Sequence, residues 1–542
     1  MKRLFLILIF LLCSLILVAC NEQEQEQEEE NKGEYVIMDS NLEVKNQTDD
    51  NYRVFYEIFS GSFSDANGDG KGDLQGIINR LDYLNDGDPN SGKSLGIEGI
   101  WLTPIFKSPS YHRYDVTDYY QIDPALGTMD DLKVLIDECH KRDIKLILDL
   151  VINHTGKDNS WFINFKIAHE NNNTEDKYYD YYTYFKQGDT KPNGTFSPVG
   201  KSDSYYECNF STDMPELNFD NEEVRQEVLK IAKYYLDMGI DGFRFDAAKY
   251  IYFGNDKKSG EFWNWYISEL KKINPDVYIV GEVWDNDSTV DVYQQNGLNC
   301  FNFNLSEVNG YISTTAKGKT AVSTYTNYIE NYLNKIKGYN NDGILHQFIS
   351  NHDMDRSAGY LTPASGEGQM AASIYLLSPG SPFIYYGEEI GIKGIRGGYS
   401  TDANRRLAML WGDGDTVKDP FEATYKSKNQ INGTVATHIV EKTSLYNHYK
   451  KLIMIRKAYP EIARGEFVSL DLDTSKVGGF ISTYNGSSVC VLHNTSKEAI
   501  TIDLATLDAK TFNTLCVYVG LNDAKLDGTS LTIGGQTSVV LK

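Results

Sequence analysis

The chain has 542 residues, 41% of them hydrophobic, and a formal net charge of −24. That length suffices for a large catalytic domain with one or two smaller ones. So acidic a balance argues against nucleic acid as a partner and against an electrostatic hold on a membrane; it suits a protein kept soluble outside a cell.

At the N-terminus, Lys2 and Arg3 precede an apolar run over residues 4–18. The run is short for a membrane span and reads as a secretory signal. Leu17-Val18-Ala19-Cys20 is similar to the bacterial lipobox, whose cysteine is acylated and becomes the mature N-terminus. An ordinary signal with a chance cysteine is the alternative. Residues 1–20 are therefore expected to be a lipoprotein signal peptide, with membrane attachment through lipidated Cys20 at the bacterial cell surface. Residues 21–50 open on a Gln/Glu run without apolar residues and are expected to be a disordered tether. Of the remaining cysteines, Cys139, Cys208, Cys300, Cys490 and Cys516 form an odd set without close spacing. That is neither a disulfide framework nor a zinc site. Buried thiols are expected, or buried thiols with one bridge.

From residue 52 to about 460, strand-like and helix-like runs alternate. Residues 54–59 read as a first strand with a helix at 77–84, and residues 97–102 as a second strand. Residues 132–139 have helical apolar spacing, and 145–151 form a nearly continuous apolar strand, as buried parallel strands do. Over 154–218 the alternation stops in favour of polar, Tyr- and Asn-rich sequence, which predicts a functional excursion or small subdomain. A helix at 222–238 and strands ending near 245, 280 and 349 follow. Residues 382–386 read as strand eight and 445–459 as the closing helix. Beyond Arg464, short alternating strands with turns at Asn485-Gly486 and Gly534-Gly535 predict an antiparallel β domain.

Three carboxylates stand at the ends of such runs: Asp246 after Gly242-Phe243-Arg244-Phe245, Glu282 after Val280-Gly281, and Asp353 after Asn351-His352. The first gap is about one βα unit of a (β/α)₈ barrel, roughly 30 residues, and the second about two. Acids at the tops of three barrel strands converge on one cleft, and a carboxylate pair across an acetal is the equipment of glycoside hydrolysis. One strand-end Asp alone would more often be a helix N-cap. Arg244, two residues before Asp246, points to the same strand face and can hold that carboxylate ionised.

With Asp149-Leu150-Val151-Ile152-Asn153-His154, these segments make the chain resemble the α-amylase family, glycoside hydrolase family 13, from about Tyr52 to the C-terminus. The resemblance implies an α/β fold: a (β/α)₈ TIM barrel (residues 51–153 and 219–463) with an inserted subdomain after strand 3 (154–218) and a C-terminal antiparallel β-sandwich (464–542). It implies Asp246 as nucleophile, Glu282 as acid and base, and Asp353 as the acid that grips sugar hydroxyls. A retaining mechanism of this kind places the first two carboxyls ~5–5.5 Å apart. Tyr114 matches a stacking platform, His154 and His352 match sugar-binding histidines, and Lys249 and Arg356 are further substrate-binding candidates. Trp161 and Trp284 are candidate subsite walls or plain core.

The run Ala247-Ala248-Lys249-Tyr250 resembles α-1,4-acting members, although amylases commonly carry His where Tyr250 stands. An extracellular monomeric α-amylase acting on starch and maltooligosaccharides is the leading expectation. An α-glucosidase, neopullulanase or cyclodextrin-cleaving enzyme of the same family is the alternative. A non-catalytic glucan-binding protein would have lost the nucleophile or the acid, and transglycosylation would use the same residues.

Calcium is the expected cofactor. Residues 65–73 place oxygens at positions 1, 3, 5 and 9 of a Gly-rich loop, the first part of a calcium-loop pattern. Asp65, Asn67, Asp69, Asp73 and the Lys71 carbonyl are the expected ligands; a metal-free cluster of Asx turns is the alternative. Asn153 matches a ligand of a second family site, in which Glu216 replaces the usual Asp.

Overall fold

The apolar runs pair side by side into a ring of parallel strands. The computed structural model describes residues 36–37, 44 and 50–542, less 363–364, 397–401, 431–432, 471, 473 and 507–511. The expected signal peptide, Cys20 and most of the tether lie outside the described residues.

The central sheet comprises β1 (Phe55–Ile58), β2 (Gly99–Leu102), β3 (Lys145–Leu150), β4 (Gly242–Phe245), β5 (Tyr278–Gly281), β6 (His346–Phe348) and β7 (Ser381–Tyr385). Their spatial order is β5-β4-β3-β2-β1-β7-β6, and every pairing is parallel. Nearly all their residues are buried, as a sheet covered on both faces requires. Cys300 and Phe301 close the ring with isolated parallel bridges to Gly281 of β5 and His346 of β6. The strand expected as the eighth is therefore β7 here, because one stave is only this bridge. The sheet is the core of a TIM barrel.

Aromatic side chains fill the barrel: Phe55, Trp101, Tyr278, Phe301, Phe348 and Phe383 pack together. Phe55 stacks on Phe383 with centroids 4.7 Å apart. Gly99 makes room for that ring, since a Cβ there would lie 2.4 Å from it. Outside the ring, amphipathic helices pack their apolar faces inward. Helix Met129–His140 starts from a capping box at Thr128, and helix Glu222–Met238 ends at Gly239 in the left-handed region (φ 110°).

Between β3 and β4 the expected excursion is ordered. It carries helix Ser160–Glu170 and a three-stranded antiparallel sheet of Tyr184–Lys186, Ser204–Glu207 and Phe196–Pro198. Bridges His154–Glu216 and Tyr182–Leu217 stitch its two ends together. At the C-terminus, the hairpin from Val477–Tyr484 to Ser487–Asn494 turns on Asn485-Gly486, both at positive φ. It belongs to a six-stranded antiparallel sheet facing a three-stranded one, and the two bury Leu492, Leu515, Leu531, Ile533 and Val539 between them. Val36–Ile37, within the expected tether, pairs with Leu515–Gly520 at the edge of that sheet, so these two residues are docked rather than free. Cys139, Cys208, Cys300, Cys490 and Cys516 are all buried as thiols, so the bridge left open by their number does not form among them.

Candidate active site

The three acids follow the C-terminal ends of β4, β5 and β6, on one end of the barrel. Arg244, 1% exposed, organises two of them. β4 lies beside β3 in a register that sets Arg244 against Asp149. Its Nη1 donates to Asp149 at 2.9 and 3.1 Å and to Asp246 Oδ1 at 2.7 Å. Its Nη2 lies 3.0 Å from Glu282 Oε2. The guanidinium also sits 5.0 Å from the Trp101 ring centroid. Ala247 takes a left-handed conformation (φ 46°), unusual for a residue with a Cβ, and donates its N–H to Glu282 Oε2 at 3.0 Å. The turn after Asp246 is thus bent so that its backbone fixes the carboxyl of the next strand.

Asp353 stands in a second charge chain. His352 Nδ1 bonds Glu57 Oε1 at 2.6 Å and its Nε2 lies 2.9 Å from Asp353 Oδ2. Arg406 Nη2 donates to Asp353 Oδ1 at 2.7 Å, and its Nε donates to the His352 carbonyl at 3.1 Å. Tyr114 links the two groups: its hydroxyl donates to Asp149 at 3.0 Å and meets His352 Nε2, and its ring stacks on His352 at 5.5 Å.

Burial and local charge set the protonation of these groups. Burial raises Glu282 against Arg244, and Asp246 and Asp353 add to the rise. Burial also raises Asp246, opposed by Arg244. Asp149 is pushed up to about 7 by burial, against Arg244 and with Asp246. One guanidinium among three carboxylates cannot keep all of them ionised. Asp353 goes the other way: burial opposes its charge, but His352 and Arg406 hold it well below the usual carboxylate range. Burial works against a charged His352 too, yet Asp353 and Glu57 push it up to about 10.

Not every expected site residue reaches the cleft. His154 is 2% exposed and spends Nε2 on the Tyr114 carbonyl at 3.1 Å, so its contact with the cleft runs through Tyr114. Burial pushes it down to about 4, so it is neutral. Arg356 is not a cleft residue: it is 1% exposed and donates to the carbonyls of Arg405 and Tyr386, with its guanidinium over Tyr385. It pins the segment that carries Arg405 and Arg406. Lys249 bonds the Trp284 carbonyl at 3.2 Å and Asp285 at 3.0 Å, tying the turn after Asp246 to the one after Glu282. Trp284 is 42% exposed and stacks on Phe303, whereas Trp161 packs against Tyr119 and Tyr181.

Asp149, Glu57 and Arg406 complete the site without having been singled out. Asp149 stood inside a quoted motif, and Glu57 is a lone charge in the apolar run of β1, a signal open to a sequence reading. Arg406 comes from the long segment between β7 and helix Leu445–Ala458, where no periodicity guides the eye.

The residues expected to hold calcium lie in one loop whose polar side chains bond its own backbone. Asp65 accepts from Asn67, Gly68 and Gly70, Asn67 from Asp69, and Asp69 from Lys71. Asp73 accepts from Ala66 and caps helix Leu74–Asn79 through Gly76. Asp65 is saturated by these bonds, since Oδ1 accepts from Asn67 and Gly68 and Oδ2 from Gly70 and the Thr416 hydroxyl, so a cation there would have to displace donors; the Asn67 and Asp69 oxygens accept one backbone bond each and keep a lone pair for it. Among the described residues, no group of three or more His, Cys, Asp or Glu side chains is arranged to hold a metal ion. Asn153 donates to Glu216 at 3.0 Å, leaving Asn153 Oδ1 and Glu216 Oε1 buried without a hydrogen-bond partner.

Comparison with known proteins gives the family. Residues 57–465 match the family model for the α-amylase catalytic domain. "Alpha-amylase 3" of Dictyoglomus thermophilum is 36% identical over 492 residues, covering 90% of this chain and 93% of its own. A cyclomaltodextrinase of Thermoanaerobacter pseudethanolicus is 30% identical, covering 86% of this chain and 70% of its own. Among solved structures, Eubacterium rectale Amy13B is similar at a TM-score of 0.86 and 35% identity, over 93% of this chain and 98% of that one. With a parallel barrel, acids at the ends of β4, β5 and β6 and an arginine between them, the chain belongs to the α-amylase family and is a glycosidase of that family.

Proposed function

We propose that the protein cleaves internal α-1,4-glucosidic bonds of starch and maltooligosaccharides with retention of configuration. The observation that carries this reading is the Arg244 bridge, which holds Asp246 and Glu282 from two fingers of one guanidinium. Asp246, whose ionised form Arg244 favours against burial through the bond to Oδ1, attacks the anomeric carbon with its carboxylate and forms a glycosyl ester. Glu282 has Oε2 tied to Arg244 and the Ala247 N–H, which leaves Oε1 to carry the proton to the leaving oxygen. Departure of the sugar leaves Glu282 ionised, and it then takes a proton from water attacking the ester. Asp353, kept ionised by His352 and Arg406, accepts from the hydroxyls of the sugar being cleaved. Ala-Ala-Lys after Asp246 and the likeness to an α-amylase over nearly the full length support the endo-1,4 specificity. The likeness to a cyclomaltodextrinase supports a second reading, a cyclodextrin-cleaving, neopullulanase or α-glucosidase type on the same machinery.

Product analysis of residues 21–542 on amylose, pullulan and maltose, beside Asp246→Asn, separates these. Mixed short maltooligosaccharides from amylose support the endo reading, with activity lowered on the order of 10⁴–10⁶-fold by the substitution. Glucose alone, or panose from pullulan, replaces it with the second. For the N-terminus we propose acylation of Cys20 and tethering at the cell surface, supported by the lipobox-like sequence; an unmodified N-terminal peptide mass would refute it. Calcium in the 65–73 loop, supported by its oxygen pattern, and a monomeric state complete the proposal, the latter checked by light scattering.

A further inference from the structure

A groove of about 530 Å³ lies between the start of helix Ser160–Glu170 and the antiparallel strands Phe106–Lys107 and Asp118–Ile122, which follow β2. Tyr120, Trp161 and Ile163 give it apolar walls, and Lys107, Asp118 and Asp158 give it charged ones. Trp161 is half-buried and held from behind by the rings of Tyr119 at 6.0 Å and Tyr181 at 5.8 Å, so its indole is a fixed wall. Asn159 joins the two sides of the groove: its Oδ1 accepts from the Trp161 N–H at 2.9 Å, and its Nδ2 donates to the Val116 carbonyl at 3.3 Å. Tyr120 and Ile163 leave 42% and 45% of their surface in water. Tyr120 meets Tyr234 of helix Glu222–Met238 edge-on at 5.2 Å, and Tyr234 is itself 38% exposed, so the apolar wall continues past the rim. One exposed ring is ordinary on a protein surface; several in contact around a concave site are not. One oxygen of Asp118 accepts from the Tyr120 N–H at 2.8 Å, and a carboxylate has another to offer. The groove is separate from the catalytic cleft. Tyr119 stands between the two: its hydroxyl meets the carbonyls of Val151 at 2.7 Å and His154 at 3.2 Å, and His154 in turn bonds Tyr114.

Resting on the starch-acting reading above, we propose that this groove is a second glucan-binding site, a foothold for the polymer away from the scissile bond. Its chemistry is that of a neutral sugar. A glucose ring lays an apolar C–H face on Trp161 or Tyr120, while its hydroxyls donate to Asp118 and Asp158 and accept from Lys107. Two carboxylates against one ammonium, on a chain of net charge −24, disfavour an anion. A polymer held in the groove is presented to the cleft at a high effective concentration, so its capture gains from the second contact. A substrate of three units, taken up by the cleft, has no length left over to gain it.

The test compares kcat/KM on amylopectin with kcat/KM on a nitrophenyl maltotrioside. Tyr120→Ala is expected to lower the ratio of the first to the second about fivefold, the scale of one lost ring contact, and Tyr120→Phe to keep it. A packing defect slows both substrates together and does not imitate that result. A ratio that Tyr120→Ala leaves unmoved, or that Tyr120→Phe lowers as far, overturns the proposal. A wild-type chain that cleaves the maltotrioside but not amylopectin overturns it as well. A wild-type chain that cleaves neither overturns the starch-acting reading, and this proposal with it, which distinguishes the two failures.

Discussion

Arg406→Met removes the cation that Asp353 shares with His352. The guanidinium makes a 2.7 Å bond to Asp353, a 3.1 Å bond to the His352 carbonyl and a 3.2 Å bond to the Tyr111 hydroxyl. Asp353 keeps 30% of its side chain exposed towards the cleft, so the lost interaction is partly screened. A hydrogen bond to a charged partner contributes about 1.5–3 kcal/mol, so kcat/KM is expected to fall roughly 10- to 150-fold if the bond is felt in the transition state. The variant also changes pH behaviour in a defined direction. In the folded protein the Asp353 carboxyl is depressed, so its ionised form contributes stability above the unfolded value of about 3.9 and loses it as pH falls through the folded value. Without Arg406 the folded value rises, so the loss of stability on acidification begins at higher pH. The assay is kcat/KM for a maltooligosaccharide across pH, beside thermal melts to confirm folding. A folded variant with less than a twofold loss of kcat/KM, and a Tm that falls on acidification as the parent's does, would refute the assignment of Arg406 to Asp353.

Other perturbations follow the same physics. Glu388 is buried, and burial pushes its carboxyl up to about 7 against bonds from Tyr375, Tyr449 and Ser350. Its neutral form therefore contributes stability that is full below the unfolded pKa and lost as pH rises through about 7, on the order of 3 kcal/mol at about 1.4 kcal/mol per pKa unit. Glu388→Gln should flatten the fall in Tm between mildly acidic and alkaline pH; parallel Tm curves for the two proteins would contradict this. Arg356→Met should cost roughly 2–5 kcal/mol in urea unfolding by stripping donors from buried carbonyls, with KM of the folded enzyme little changed; a raised KM at intact stability would return Arg356 to the cleft. Chelation with EDTA should lower Tm by a few degrees and added calcium should restore it, with Asp65→Ala insensitive to both; equal melts with and without chelator would remove calcium from the loop.

The three acids of the cleft were legible because each interrupts a buried, β-prone run at the point where a barrel strand meets solvent. Arg244 was legible for the same reason of alternation. What it binds was only half legible: Asp149 faces it through strand register, a relation between residues far apart in sequence. Arg406 was hidden in a segment without repeat, and Arg356 was misplaced because a charged side chain after a strand gives no sign of whether it turns to carbonyls or to the cleft. The missing stave at Cys300 and Phe301 likewise has too few residues to carry a pattern. The Asn485-Gly486 hairpin needed no tertiary information, since both residues tolerate the positive φ that a tight turn imposes.

Around Arg244 the site is electrically lopsided. A single fixed cation faces Asp149, Asp246 and Glu282, whereas Glu57, His352, Asp353 and Arg406 alternate in sign and cancel. The first group therefore meets part of its demand for positive charge with protons held on its carboxyls, a demand that a cation could meet instead at the place where the sugar ring would pass through an oxocarbenium-like state. A ring nitrogen that is protonated at neutral pH would meet that demand permanently, so cationic sugar mimics should be held more tightly than neutral sugars of the same shape.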